Sequence, residues 1–220
     1  MKNFQRVIGT VGWSISIVLV TTIGLFISAY LYLEEDLPQL PKNLSYINYR
    51  PPTEIYSDDG EVIKTLGLRN TVRLNMISWK FRKAILAIED SRFFTHHGLD
   101  PISLVRAMLV NTKSGRLVQG GSTITQQLAK NLFFSFDKSW MRKFKELLMA
   151  FQIEASFPKT DILEAYSNLV YFGNGAYGVD EASRVYFGKR AKDINLLQSA
   201  MLAGIVKSPN KFNPFNDKIL

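Results

Sequence analysis

Glu89 and Asp90 stand side by side at the end of an apolar helical pattern, followed closely by Phe93, Phe94, His96, His97 and Gly98. Phe81, Ile85 and Ile88 form one stripe of that helix, with Glu89 on its flank and Asp90 about 100° further round. A carboxylate at the edge of an apolar face binds its proton more tightly than one in water, which suits proton transfer near neutrality. A solvated acidic pair that closes a helix is the other reading. A second cluster runs from Gly120 to Gln127, Gly-Gly-Ser-Thr-Ile-Thr-Gln-Gln. Two glycines allow close backbone approach, Ser122 or Thr123 can cap a helix, and free N–H groups at such a start attract an anion such as phosphate. Gln126 and Gln127 add side-chain amides, and Lys130 follows one turn later; a plain capped helix explains the same residues. The third cluster is Lys138, Arg142, Lys143 and Glu146. Arg142 and Glu146 have the i, i+4 spacing of a surface ion pair worth about 0.3–0.5 kcal/mol. Yet the helix continues through Leu147 to Ile153, apolar on nearly all sides, which implies burial and asks why charges sit there.

The elements that must position these groups follow from pattern and punctuation. Val7 to Leu33 is free of charge over roughly 27 residues, against about 20 needed to cross a bilayer. Lys2 and Arg6 precede it and Glu34, Glu35 and Asp36 follow, which places the N-terminus in the cytoplasm and the rest outside. An apolar run of this length exceeds that of a cleaved signal peptide. The layout expected is a cytoplasmic tail at 1–6, an anchor at 7–33, a stem at 34–52 punctuated by Pro38, Pro41, Pro51 and Pro52, and a domain at 53–220. Glu54 to Ile63 reads as a hairpin around an Asp-Gly turn. Helices are expected at about 78–92, 100–112, 122–134, 139–156, 160–170, 178–186 and 194–206, with Asp100 capping a helix that opens at Pro101. Residues 111–116 read as an exposed mobile loop.

The three clusters resemble, in spelling and order, the first three motifs of the peptidoglycan glycosyltransferases, family 51. Glu89, Asp90, Phe93, His96 and Gly98 match the first, Gly120 to Gln127 the second, and Arg142, Lys143 and Glu146 the third. Residues 162–168 with Gly173 resemble a fourth, with Ser167 where leucine is usual, and 182–189 and 202–214 resemble the closing motifs, so the resemblance covers about 50–214. It implies a mainly α, lysozyme-like domain with a short β-hairpin, preceded by one transmembrane helix. It implies polymerisation of lipid II into a β-1,4 glycan with inversion, release of undecaprenyl diphosphate, and inhibition by moenomycin. In that family Glu89 is the general base and Glu146 the second carboxylate. Asp90, Phe93, Gly121, Ser122, Thr123, Gln126, Gln127, Lys130, Lys138, Arg142 and Lys143 are the substrate-binding set. Lysine at 138, where relatives often carry arginine, keeps the charge without the bidentate fork. The implied location is the cytoplasmic membrane of a bacterium with the domain outside. The implied partners are lipid II, the growing strand, the membrane, and a transpeptidase or other cell-wall synthesis proteins.

Composition agrees with an anionic substrate: the net charge is +8 and the pI about 9.6. Nucleic acid is disfavoured by the topology. Without cysteine there is neither a disulfide framework nor thiolate chemistry. No cofactor is required, although Mg or Mn ions could bridge a diphosphate to carboxylates. No protein-only metal site is visible, because His96 and His97 are adjacent and do not converge. Gly173 to Gly178 spells G-x-G-x-x-G, but a helical pattern precedes it where a dinucleotide site needs a strand. The S-x-x-K matches at 135–138 and 208–211 lack their S-D-N and K-T-G partners, so this chain is not expected to bind penicillin. The rival readings are a glycan-cleaving enzyme of the lytic transglycosylase type, which has no use for the basic cluster, and a non-catalytic scaffold.

Overall fold

The computed structural model describes residues 2–44, 53–66, 71–116, 118–134 and 139–215. They fall into two compact units, residues 1–39 and 40–220. The first is helix α1 (Lys2–Leu33), closed by a 3₁₀ turn at Glu34–Asp36. At 1.5 Å per residue its 32 residues reach about 48 Å, and Gly12–Asp36 is long and apolar enough to cross a membrane. Two of its threonine hydroxyls are satisfied within the helix: Thr21 donates to the Ile17 carbonyl at 2.9 Å, and Thr22 to that of Val18 at 2.7 Å. No water is needed for them.

The second unit is mainly helical, as expected. It opens with strands β1 (Thr53–Tyr56) and β2 (Val62–Leu66), paired antiparallel with a bulge at Ile55/Tyr56 and turned at Gly60, whose φ is 86°. Among the described residues eight helices follow: α2 (Trp79–Glu89), α3 (Pro101–Ser114), α4 (Ile124–Phe133), α5 (Trp140–Ser156), α6 (Lys159–Leu169), α7 (Val179–Phe187), α8 (Leu196–Lys207) and the single turn α9 (Pro209–Phe212). Helix α4 packs on α5 and α6, while α2 packs on α8. Phe81, Ile85, Ile124, Leu128, Ile153 and Tyr166 are wholly buried between them.

Local chemistry sets the helix ends. Asp100 caps α3 by accepting from the amides of Ile102 and Ser103, both at 3.1 Å, and also takes the Arg92 guanidinium. Burial alone would raise the Asp100 pKa, but the bonds from Ser103 and Arg92 prevail and hold it at about 2. Thr123 with Gln126, and Asn195 with Gln198, form reciprocal capping boxes on α4 and α8.

Three expectations need correction. Helix α2 stops at Glu89 rather than 92, because Asp90 turns away with φ −158° and ψ 75°. Ile88 is 40% exposed and so does not extend the buried stripe of Phe81 and Ile85. The loop expected at 111–116 is helical through Ser114 and ends on left-handed Gly115. Asn111 stiffens the return, accepting from the amides of Val118 and Gln119 and donating to the Gln119 carbonyl at 2.9 Å.

The last turns are tied to the start of the domain. Glu164 accepts from the Leu74 amide at 2.6 Å, and Asn168 pairs with both amide and carbonyl of Val72, so α6 fixes the entry to α2. Ser167, in the place of leucine, is buried and donates to the Leu163 carbonyl at 2.7 Å. The glycine string at 173–178 is a turn bridged at Tyr171 and Tyr177. At Gly178 φ is +82° and ψ 152°, and a Cβ would lie 2.6 Å from the Asn168 carbonyl oxygen. Gly178→Ala is therefore expected to lower stability by roughly 3 kcal/mol or more. Gly188→Ala, left-handed but in open space, should lose only about 1–2 kcal/mol. Denaturant melts of the solubilised chain check the ranking.

Candidate active site

The break after Glu89 is held by side chains far apart in sequence. The Asp90 carboxylate is buried, lies 3.0 Å from His96 Nε2 through both oxygens, and accepts from the Ile124 amide at 3.0 Å. It thus occupies the first amide of α4. Thr123 Oγ1 donates to the Gly98 carbonyl at 2.7 Å and accepts from the Gln126 amide at 3.2 Å. The anion expected at the start of α4 is therefore partly supplied by the protein itself. Gly98 in turn lies against α5, where a Cβ would meet the Ala150 backbone at 3.2 Å.

With Asp90 pinned inward, Glu89 sits at the end of α2 facing α4. Gln127 Nε2 donates to its Oε2 at 2.7 Å, while Oε1 is buried and has no hydrogen-bond partner among the described residues. Burial raises the Glu89 pKa above the ordinary glutamate value. The Gln127 bond and the Lys207 charge pull it down, and the Asp90 charge adds to the rise. An acceptor so placed is suited to taking a proton from a hydroxyl near neutral pH. Gln127 Oε1 accepts from the hydroxyl of wholly buried Tyr166 at 3.1 Å.

At the other end of the 121–127 segment, Lys143 Nζ donates to Ser122 Oγ at 2.9 Å and to Glu146 Oε2 at 3.0 Å, and Arg142 pairs with Glu146 Oε1. Glu146 is 1% exposed. A carboxylate this deep needs such partners. Arg142 and Lys143 bring two cations to this face of α5, a setting suited to an anionic group. Gly121 presses on the Leu104 backbone, where a Cβ would come within 3.3 Å. The segment thus joins Glu89 through Gln127 to Glu146 through Ser122 and Lys143.

The other expected residues have distinct placements. Phe93 is 1% exposed, flanked by His96 and Phe94 and covered by the Lys159 ammonium 4.3 Å from its ring. Lys159 also pairs with Glu154 at 2.7 Å, which accepts from Thr125 Oγ1 at 2.5 Å. Gln126 is buried and spent on the capping box. Asp90, Phe93, Thr123 and Gln126 therefore make their described contacts within the protein. Lys130 is half-buried on α4, one turn after Gln126, and Lys138 lies outside the described residues. No three His, Cys, Asp or Glu side chains among the described residues converge on a metal position. Sequence reasoning did not single out Tyr166, Lys207, Glu154 or Lys159. For Lys207 a signal existed, since it is the lone charge closing an otherwise uncharged helix.

Beside the polar site, α3 leaves Ile102, Val105, Met108 and Leu109 exposed on one face, and α5 opens with Trp140 and Met141 exposed. Exposed apolar surface of this extent marks contact with something other than water.

Residues 59–219 match the family profile described as Transglycosylase. The penicillin-binding protein 1A of Aquifex aeolicus is 42% identical over 202 residues, covering 90% of this chain and 28% of that protein. Those of Pseudomonas aeruginosa and Escherichia coli are 40% and 45% identical, covering 96% and 87% of this chain and 26% and 23% of theirs. The chain thus spans about a quarter of the length of these relatives.

Opposite effects on stability are expected at 89 and 90. Asp90→Ala strands His96 and the Ile124 amide, with an expected loss of about 2–4 kcal/mol. Glu89 has its folded-state pKa raised, so it is least unfavourable below the ordinary glutamate pKa. Ionised Glu89 weakens the fold as pH rises through the raised value. Glu89→Gln should therefore melt with the wild type near pH 4 and above it at pH 7, as thermal melts across that range would record.

Proposed function

The chain belongs to the transglycosylase family, and on that premise we propose that it is a peptidoglycan glycosyltransferase that polymerises lipid II. The observation that carries the reading is the contrast between two carboxylates tied to one polar segment. Glu89 is raised in pKa with one oxygen unpartnered among the described residues, whereas Glu146 is buried among cations. Environments that separate two carboxylates in this way assign them different work.

In the proposed step Glu89 takes the proton of the sugar 4-hydroxyl. The freed oxygen attacks the anomeric carbon of the other substrate from the face opposite its diphosphate. The C1–O bond breaks, its electron pair leaves with undecaprenyl diphosphate, and α becomes β-1,4. The leaving group departs already charged, so it needs cations more than an acid. Arg142 and Lys143, with Lys130 and Lys138, would supply them, and Glu146 would hold the first two in place. Ser122 and Gln127 would orient the sugars.

The proposed setting is the outer face of a bacterial cytoplasmic membrane, with an anchor at 7–33, a stem at 34–52 and the catalytic domain from 53. The exposed apolar face of α3 and the Trp140 edge of α5 suit a substrate that lies in the bilayer. A transpeptidase acting on the product is the proposed partner activity.

Purified, detergent-solubilised chain with labelled lipid II should give a ladder of glycan polymers that moenomycin suppresses. Glu146→Gln should reduce that synthesis by about a hundredfold or more. Release of soluble muropeptides from cell-wall sacculi, with no ladder from lipid II, would instead identify a glycan-cleaving enzyme and overturn the proposal.

A further inference from the structure

The two ends of the Gln127 amide make bonds that depend on one another. Nε2 donates to Glu89 Oε2 at 2.7 Å, and Oε1 accepts from the Tyr166 hydroxyl at 3.1 Å. An amide carries donors at one end only. Were it reversed, its carbonyl would face an ionised carboxylate, two acceptors in contact. The Tyr166 ring on α6 is wholly buried. Burial keeps its hydroxyl well above the usual phenol pKa, and the Glu89 and Asp90 charges add to that, so it stays a donor across the neutral range.

We propose that Tyr166 is a positioning residue for Glu89 acting through Gln127, its hydroxyl anchoring the far end of the amide so that Nε2 stays within reach of the carboxylate. The inference rests on Glu89 being the base of the reaction proposed above. The groups facing Glu89 are Asp90 beside it, Gln127 from α4, the Lys207 charge from α8, and Tyr166 beyond Gln127 from α6. Tyr166 is neutral, so removing its hydroxyl changes no charge. Any change at Glu89 must then travel through the amide. Freed from the phenol, Gln127 turns part of the time, donates less to Glu89, and the carboxylate binds its proton more tightly.

The test compares wild type, Tyr166→Phe, Gln127→Ala and the double variant, each as the full solubilised chain. Tyr166→Phe keeps the ring and nearly its volume. Glutamate labelled with ¹³C at Cδ reports the Glu89 titration directly, its signal identified by its absence in Glu89→Gln. The Tyr166→Phe midpoint should rise by about half to one pH unit. The acidic limb of kcat for lipid II polymerisation should move the same way, with KM within about twofold. Adding Tyr166→Phe to Gln127→Ala should move neither further. Fluorotyrosine at position 166, a stronger donor in an unchanged fold, should shift the midpoint down. An unchanged midpoint in Tyr166→Phe, or an equal shift when Gln127 is absent, overturns the proposal. The NMR titration needs no turnover, so a chain inactive on lipid II would sink the functional reading and leave this relay separately measurable.

Discussion

The buried carboxylate of Asp90 is the interaction on which the rest of the site depends. It joins the end of α2, the His96 turn and the first amide of α4, three places brought together only by the fold. Bonds from N–H groups to a buried charge are worth about 1.5–3 kcal/mol each, enough to end a helix where its pattern would continue. That early stop leaves Glu89 as the last helical residue of α2, facing Gln127. A helix running on to 92 would leave Asp90 in register with the turns behind it and unable to reach α4. Thr123 on the Gly98 carbonyl and Gly98 against the Ala150 backbone complete the closure with α5.

Around that staple the protein treats its charges in two ways. Asp100, Asp90 and Glu146, and the side chain of half-buried Glu154, are surrounded by donors or cations, as buried carboxylates must be. Glu89 is different: its pKa is raised by burial, and its Oε1 is buried with no hydrogen-bond partner among the described residues. An unsatisfied charge weakens the fold, and such weakness persists where the surroundings enforce it and function uses it. The hydrogen bond that Glu89 receives from Gln127 comes from an amide whose other end accepts from the Tyr166 hydroxyl.

Much of the frame was legible because it is written locally. The hairpin at the Asp-Gly turn, the Asp100 cap before Pro101, and the Thr123 cap all depend on residues within a few positions of one another. What periodicity could not reveal depends on partners distant in sequence. The resemblance makes Asp90 a substrate contact, and nothing nearby in sequence shows that the Ile124 amide, 34 residues away, also meets its carboxylate. Phe93 and Gln126 sit within motifs that resemble a substrate site, and the fold also buries the ring of one and uses the other to cap α4. Tyr166 lies within the 162–168 string but has no role in the sequence reading, because a buried tyrosine in a helix is ordinary until its hydroxyl's partner, 39 residues off, is known. The overestimated loop at 111–116 is a similar case. Asn111 looks like a helix stop in sequence and acts instead as a bracket on residues 118 and 119.

The central claim is that Glu89 takes the proton in glycosyl transfer. The direct measurement is the single-turnover rate of lipid II coupling by Glu89→Gln, with lipid II saturating, against the wild-type chain. Loss of a positioned general base removes about 10²–10⁴-fold, so a rate at least a hundredfold below wild type with substrate still bound is the predicted result. A rate within a few fold of wild type would contradict the account.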